Sequence, residues 1–402
     1  MKIMYEVAIV GGGPVGLTAA LCLARAGVRV LLIEAEAETA KEQRGAAFHP
    51  PTLEMLGTLG VTQKILPIGV KVPIWQIRDR AGLIAQFDLG MLHAETAYPF
   101  RFHLPQHLLS EALIKELQAT SARVLFGSKV TGVTQHADHV DITYSDADGT
   151  PQAAQAAWVI GADGAHSVVR KACGIDFEGF SWPERFLVTN IVYPLEELGF
   201  SGTAYISDPE NWAVVIKLAD GHHKDLWRVA MPADPDLPID EVLAPDAVQR
   251  RLTQVLPAGR NYPLVYSNTY RVHQRVAARF RDGRCLLAGD AAHINNPLGG
   301  FGLNGGIHDA FSLAEGLAAV LRDAGGSDVP LDRYARQRRY VAVEHVQAQS
   351  IRNKRQIEEK DPEQRLSQAS ELRAIAGDQG RAHRYLMDTS MLTSIRRAAE
   401  IA

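Results

Sequence analysis

Cys285–Asp309, CLLAGDAAHINNPLGGFGLNGGIHD, is the stretch on which the reading of the fold turns. Its first four residues, Cys285 to Ala288, form an apolar run of the kind that makes a buried strand. Gly289 and Asp290 break that strand and leave an acidic side chain at its carboxyl end, where open α/β sheets collect their ligands. Pro297 and five glycines follow (Gly299, Gly300, Gly302, Gly305 and Gly306), so the backbone can come close to a flat ligand. Helical spacing starts after Asn304, through Ile307, Phe311, Leu313, Leu317 and Leu321. The free N–H groups of that helix start face whatever the loop holds and favour negative charge there. Five glycines would only weaken a loop that held nothing.

The start of the chain follows a stricter version of the same plan. Glu6–Val10 reads as a β-branched strand, and Gly11-Gly12-Gly13-Pro14-Val15-Gly16 places glycines 11, 13 and 16 in the pattern G-x-G-x-x-G. Leu17–Ala26 has helical spacing and stops at Gly27, and Val28–Ile33 is a second apolar strand ending in Glu34. Strand, glycine loop, helix and an acid at the end of the next strand together make a dinucleotide-binding fingerprint. Gly11 permits the tight turn, Gly13 lets a pyrophosphate approach, and Gly16 lets helix and strand pack closely. The pyrophosphate then rests on the helix N-terminus, and Glu34 accepts hydrogen bonds from an adenosine ribose.

Composition bounds the remaining classes. The chain has 402 residues, 46% hydrophobic and 22% charged, with a formal net charge of −4 and no block of Lys and Arg. That balance argues for a globular protein and against a nucleic-acid partner. Cys22, Cys173 and Cys285 make neither a disulfide framework nor a metal-ligand spacing, which points to reduced thiols, the cytoplasm and no metal. Val7–Ala24 is uncharged over 18 residues, near the length of a membrane span. Its Gly-Gly-Gly-Pro and the following Arg25 and Arg29 fit strand, turn and helix better, so no membrane span is expected.

The middle of the chain departs from regular βαβ units. Arg44-Gly45-Ala46-Ala47-Phe48-His49-Pro50 leads into a helix over Thr52–Leu59 closed by Gly60. Lys71–Leu89 alternates around a turn at Asp79–Gly82 and reads as an antiparallel hairpin. Arg101-Phe102-His103-Leu104-Pro105-Gln106 precedes an amphipathic helix over Leu108–Thr120, and Arg123–Phe126, Lys129–Val133 and Val140–Tyr144 are short strands. His136 and His139 fall on polar turns there. At Ala157–Arg170, AWVIGADGAHSVVR, a strand ends in Gly161-Ala162-Asp163-Gly164, with Ser167 and Arg170 on a helical turn.

Three nucleotide-type loops in this order resemble the FAD-dependent aromatic hydroxylases, the single-component flavoprotein monooxygenases. The resemblance covers roughly residues 5–320 and rests on GGGPVG with Glu34, on Asp163-Gly164-Ala165-His166-Ser167-Val168-Val169-Arg170, and on Gly289-Asp290 with His293, Pro297, Gly300, Gly302 and Asn304. It implies an α/β fold in which a Rossmann-like FAD-binding domain carries an inserted antiparallel substrate sheet and a C-terminal helical tail. The expected divisions are FAD-binding parts at 1–70, 101–183 and 280–322, a hairpin at 71–100 and a sheet at 184–279 for substrate, and helices at 323–402. Arg44 and Gln106 would contact the FAD pyrophosphate and ribityl region, and Val130 would offer backbone groups to the adenine. Asp290 would bind a ribityl or ribose hydroxyl, the amides of Leu303 and Asn304 would meet the flavin pyrimidine edge, and Val15 and Asp163 complete the cofactor set. Phe301 stands where the family usually has Gln, which marks it as a candidate for the pocket lining.

The insert, Glu184–Arg279, is read as alternating strands: Phe186–Tyr193, Gly202–Ser207, Trp212–Leu218 and Leu226–Met231. Asp208-Pro209-Glu210-Asn211 and Asp220-Gly221-His222-His223 supply the turns between them. Trp212, Val214, Ile216 and Leu218 share one face and Ala213, Val215 and Lys217 the other. The first face is expected to line the substrate pocket, with Arg228 one strand over on either side. An apolar lining of that kind predicts a neutral phenol, because a buried carboxylate needs a bidentate Arg. Beyond Gly325 the chain is helical, Tyr334–Lys360 and then Arg381–Ile401, with Arg333, Arg336, Arg338 and Arg339 on a solvated face. A homodimer contact there has no specific support.

The function implied by the resemblance is hydroxylation of a phenolic or other electron-rich ring, with NAD(P)H and O2 as co-substrates and a flavin hydroperoxide as the oxygen donor. Exclusion of water protects such chemistry. Tyr205, His103 and Pro297 are the candidate catalytic residues, Tyr205 and His103 as candidates for the base. NAD(P)H is expected to bind only weakly, since the single complete fingerprint is taken by FAD. A halogenase or an alkene reductase on the same fold, or an FAD-bound interaction scaffold, are the alternative readings. The Trp-x-Trp-x-Ile-Pro signature of flavin halogenases is absent.

Overall fold

Five parallel strands run side by side in the order Cys285–Leu287, Pro151–Gly161, Tyr5–Val10, Val30–Ile33 and Arg123–Leu125 in the computed structural model, which describes residues 5–39, 45–257, 259–323 and 327–402. Val7–Val10, Val30–Ile33, Cys285–Leu287 and the carboxyl end of Pro151–Gly161 are apolar and buried on both faces, as a covered parallel sheet requires, while the edge strand Arg123–Leu125 is only partly covered. From Tyr5–Val10 the chain turns one way to Val30–Ile33 and the other way to Pro151–Gly161. A crevice therefore opens at the carboxyl end of the first strand, the switch point of the sheet. An antiparallel extension, Lys129–Gln135 with Val140–Ser145, pairs onto the amino-terminal half of Pro151–Gly161.

The helix Pro14–Arg25 starts three residues before the spacing of its apolar residues suggests, because Pro14 occupies the first turn, where its missing N–H costs nothing. It packs with Phe301–Arg322, the long helix after the third loop, against the sheet. The run Val7–Ala24 is thus strand, loop and helix, and among the described residues no helix is long and apolar enough to cross a membrane.

The second sheet has eight strands and begins outside the insert. Ile74–Asp79 pairs antiparallel with Gly82–Asp88 and parallel with Thr203–Ile206, so the hairpin near residue 80 extends the inserted sheet. Its turn is held by Asp79 Oδ1, which accepts from the amides of Ala81 and Gly82 at 2.8 and 3.1 Å. Phe177–Val192 and Leu264–Ala277, 16 and 14 residues long, form the antiparallel backbone of this sheet.

One correction concerns the block 184–279, read as strands throughout. It contains two helices, Ile239–Leu243 and Pro245–Val255. Val248 and Leu252, one turn apart, cover the sheet face formed by Ala204, Ala213, Val215, Trp227 and Val229. That face is the apolar core of the insert. The opposite face carries Val214 and Ile216 together with Tyr205, Arg228 and Asn190, which the strand register places in cross-strand neighbourhood. Arg228 thus lies on the face expected to be purely apolar.

The tail also differs in one residue that matters. Val329–Tyr340, a π-helical turn at Val341–Gln347, and Ala348–Ile357 run nearly continuously, followed by helices Pro362–Gly377, Gln379–Thr389 and Leu392–Ala399. Arg333 and Arg336 are exposed and Arg339 is partly covered, but Arg338 is buried. The solvated-face reading fails there because an acid on another helix, Asp309, takes the guanidinium inside.

Candidate functional site: three loops at one sheet edge

The three glycine loops meet at the carboxyl ends of three neighbouring parallel strands. The amide of Ala162 donates to Val10 O at 2.8 Å, and that of Ala288 to Gly161 O at 3.0 Å. A Cβ on Gly11 would lie 2.3 Å from Ala162 O, and Gly11 has φ +104°, so only glycine fits that contact. A Cβ on Gly16 would lie 2.0 Å from Gly11 O, the close helix approach that the pattern predicts. The side chain of Val15 fills the next gap, since a Cβ on Gly306 would meet its Cγ2 at 2.6 Å and one on Gly289 at 2.9 Å.

Gly13 behaves differently. No atom lies within 4 Å of where its Cβ would be. The loop is therefore tight on two sides and open on the third, above the start of the Pro14–Arg25 helix. This is the space a pyrophosphate needs. Glu34 ends the second strand beside it, accepting from the amides of Gly12 and, at 2.8 Å, Glu36. The segment before Val130 runs along the same edge, with Ser128 N donating to Glu34 O at 2.8 Å.

Asp163 provides a second sign of an absent partner. Its Oδ2 accepts from the amide of Val168 at 2.7 Å, while its Oδ1 is buried with no hydrogen-bond partner. Burial raises its carboxyl above the usual range, against the opposing pull of Ser167 and the amides it caps. Arg170 ties this loop to the third one, donating to Ala165 O at 2.7 Å and to Ala291 O at 2.9 Å. Ser167 caps its short helix, with Oγ accepting from Arg170 N at 3.0 Å. The open space at Gly13 and the unmet Asp163 oxygen fit a bound dinucleotide.

The third loop is held from behind. The buried Asp309 carboxylate accepts from Gly289 N at 3.0 Å, from His293 Nε2 at 2.7 Å and from Arg338 Nε at 2.6 Å. Asn296, also buried, donates through Nδ2 to Gln274 Oε1 and Ser350 O at 3.1 and 3.0 Å, fixing the loop to the inserted sheet and the tail. Asp290 itself is exposed at the end of its strand, and Pro297 is exposed on the loop.

The following helix begins at Phe301 rather than after Asn304. Gly302 and Leu303 lie in its first turn, where backbone amides have no partner within the helix. Leu303 and Gln106 both stand against Gly45: a Cβ there would be 3.3 Å from Gln106 Oε1 and 3.3 Å from Leu303 Cβ. Arg44 lies outside the described residues. Asn304 has an additional side-chain role that its backbone assignment did not foresee. Its Oδ1 accepts from His49 N at 2.8 Å and Thr52 Oγ1 at 2.6 Å, and its Nδ2 donates to Ala47 O and Gly300 O at 2.8 and 2.6 Å. Because the Thr52 proton goes to Asn304, His308 Nε2 donates to Thr52 at 2.8 Å.

The inserted sheet covers this loop. The Tyr205 hydroxyl accepts from the amide of Gly299 at 2.8 Å, and Ile216 and Leu218 cluster with Ala46. His103 sits at the sheet's rim, with Nδ1 donating to Lys217 O at 2.8 Å and Nε2 accepting from Thr203 Oγ1 at 3.2 Å. Arg228, buried, donates through Nε to Asn190 Oδ1 at 3.2 Å, and desolvation lowers its pKa to about 10. Trp212 packs edge-on against Phe186 at 4.9 Å, and Phe301 stacks on His49 and packs against Val341, Val346 and Met391. Those two rings are thus engaged in packing, whereas Val214, Ile216, Tyr205 and Arg228 share the face toward the loop.

A family model described as "FAD binding domain" matches residues 4–349. The chain is 37% identical over 400 residues to para-nitrophenol 4-monooxygenase of Pseudomonas sp. (strain WBC-3), covering 98% of each chain. It is 35% identical over 367 residues to 6-hydroxy-3-succinoylpyridine 3-monooxygenase of Pseudomonas putida (strain DSM 28022 / S16), covering 90% of this chain and 91% of that one. The crystal structure of p-nitrophenol 4-monooxygenase from Pseudomonas putida DLL-E4 superimposes with a TM-score of 0.92 at 37% identity, covering 98% of this chain and 99% of that one.

Proposed function

This chain belongs to the FAD-dependent aromatic hydroxylases and is an FAD-containing aromatic monooxygenase; from that premise we propose that it hydroxylates a phenol or a similar electron-rich ring, with NAD(P)H as reductant and molecular oxygen as oxidant. The observation that carries the reading is the hydrogen bond from Gly299 N to Tyr205 Oη, which seats the inserted sheet directly on the third glycine loop. A flat substrate under that sheet lies next to the loop that meets the flavin.

FAD, when bound, supplies the redox chemistry and the activation of oxygen. In our reading Gly11, Gly13, Val15 and Gly16 cradle its pyrophosphate, and Glu34 takes the ribose. Val130 borders the adenine, and Gln106, Asp163 and Asp290 take the remaining polar groups. Gly302, Leu303 and Asn304 present the helix start to the ring. The cofactor-binding unit then consists of residues 1–70, 101–183 and 280–322, the substrate unit of 71–100 and 184–279, and the tail of 323–402.

The substrate unit orients the ring and keeps water out. Tyr205 uses its oxygen to accept from Gly299 and keeps its own proton for a substrate oxygen. His103 has both ring nitrogens occupied, and burial, with the charge of Arg101 adding to it, lowers its pKa to about 4. We therefore assign the proton-handling role to Tyr205 and a positioning role to His103. Two relatives act, by name, on a nitrophenol and a hydroxypyridine, which suits a pocket for a hydroxylated ring. The three free cysteines fit a cytoplasmic setting.

The test is NAD(P)H oxidation by the FAD-loaded protein with a panel of phenols under labelled oxygen gas. One labelled oxygen atom per hydroxylated product is expected. Phenol-independent oxidation without a hydroxylated product would overturn the reading.

A further inference from the structure

Arg101 is a buried cation without a counter-ion among the described residues. It lies on the strand Arg101–His103, 4% exposed, and its side chain makes no hydrogen bond or ion pair with any described residue. Its guanidinium carbon sits 4.5 Å from the centre of the Trp75 ring. Arg101 Nε and Trp75 Nε1 are both buried donors lacking an acceptor. A desolvated guanidinium and an unmet indole N–H each destabilise the protein unless something accepts from them.

Two routes place this pair in the substrate space. Trp75 meets Tyr205 edge-on at 5.5 Å, and Tyr205 accepts from Gly299 N at 2.8 Å. On the other side the Arg101 charge reaches His49, whose Nε2 donates to Gly299 O at 2.8 Å. His103, two residues along the strand and so on its same face, is fixed to Thr203 and Lys217 of the sheet. Tyr385 from the tail stacks on Trp75 at 5.6 Å. Arg228 lies on the same sheet face, buried. The expectation of a neutral substrate loses its premise: the lining contains two buried cations.

We propose that Arg101, backed by Trp75, pairs with an anionic oxygen of the aromatic substrate, so that the pocket selects acidic rings. The oxygen belongs either to the ring hydroxyl as phenolate or to an acidic ring substituent, and the guanidinium treats both alike. This inference rests on the hydroxylase reading above and deepens it by naming the substrate class.

The experiment titrates flavin absorbance of FAD-loaded wild type, Arg101→Gln and Arg101→Lys at one mildly alkaline pH. The probes are 4-nitrophenol, nitrobenzene, 4-methylbenzoate and 4-methylphenol. Arg101→Gln should weaken 4-nitrophenol by about 10- to 100-fold, with KM rising in step, and leave 4-methylphenol within twofold, roughly the error of such titrations. Arg101→Lys should recover part of the loss. Loss for 4-nitrophenol alone assigns the phenolate; loss for 4-methylbenzoate as well assigns a carboxylate subsite. The substrate-free Gln variant should unfold at the same temperature as wild type or higher, since it sheds an unpaired buried charge. Unchanged anion affinity in Arg101→Gln, or FAD lost from it, would overturn the proposal. If wild type hydroxylates none of the phenols, the functional reading fails instead.

Discussion

Arg338 reaches Asp309 across 29 residues, Nε to Oδ1 at 2.6 Å, with both side chains inside the protein. The other carboxylate oxygen holds Gly289 N and His293, so this pair anchors the loop that ends in Asp290. Arg338→Met leaves Asp309 buried without its cation, a loss of about 3–5 kcal/mol. Urea unfolding of the FAD-free protein should show it. A change under about 1 kcal/mol would mean that the pair behaves like a surface ion pair.

The buried histidines set the acid limit. Burial lowers His49 and His308 to about 3 and His103 to about 4, with nearby arginines adding to the effect. Below about pH 6.5 the unfolded chain takes up these protons and the folded one does not, so stability falls as pH falls. Each group contributes about 1.4 kcal/mol per pH unit until its folded pKa is reached. Asp309 adds to this lower down. Burial alone would raise its carboxyl, but Arg338 and His293 outweigh that and hold it below the usual range. Its stabilisation is present above the ordinary carboxylate range and lost as pH falls through the folded value. Urea midpoints should therefore drop steeply from about pH 6 to 4, and His308→Gln should flatten the slope. A flat profile over that window would refute the assignment.

Glycines of one loop should separate cleanly. Gly11→Ala and Gly16→Ala place a methyl group 2.3 and 2.0 Å from backbone oxygens, so both should fail to give a stable fold. Gly13→Ala meets nothing within 4 Å and sits at φ −69°, so it should fold normally yet lose FAD. Circular dichroism with FAD occupancy after desalting distinguishes the three. Full FAD retention in Gly13→Ala would refute the pyrophosphate assignment.

Tyr205→Phe leaves the buried Gly299 amide without its acceptor, a cost of about 1–3 kcal/mol. The variant should fold, retain FAD and lose turnover with phenols, while NAD(P)H oxidation becomes less tightly linked to product. Unaltered turnover and product yield would move proton handling away from this tyrosine.

The three glycine motifs were legible because each depends on local geometry: a positive φ, a helix start, a strand end. Gly11, Gly16 and the 160s loop needed no knowledge of distant residues. Arg338 was misread as solvated because its neighbours Arg333, Arg336 and Arg339 are charged, and nothing in spacing reveals a partner on another helix. The insert helices escaped because period-two runs and the turns at 208–211 and 220–223 mark the block as strands, and Val248 and Leu252 gain their role only from the distant sheet face they cover.

The sequence by itself determined the dinucleotide fold and its cofactor loops, since glycine stereochemistry and apolar strand runs act over a few residues. Tertiary structure alone decided the character of the substrate pocket. Arg228 could face either way until cross-strand register placed it beside Ile216 and Asn190. Arg101 acquired meaning only when folding stacked it on Trp75 and left it without an acid among the described residues. Whether a buried charge is paired depends on which distant side chains arrive beside it, and packing sets that.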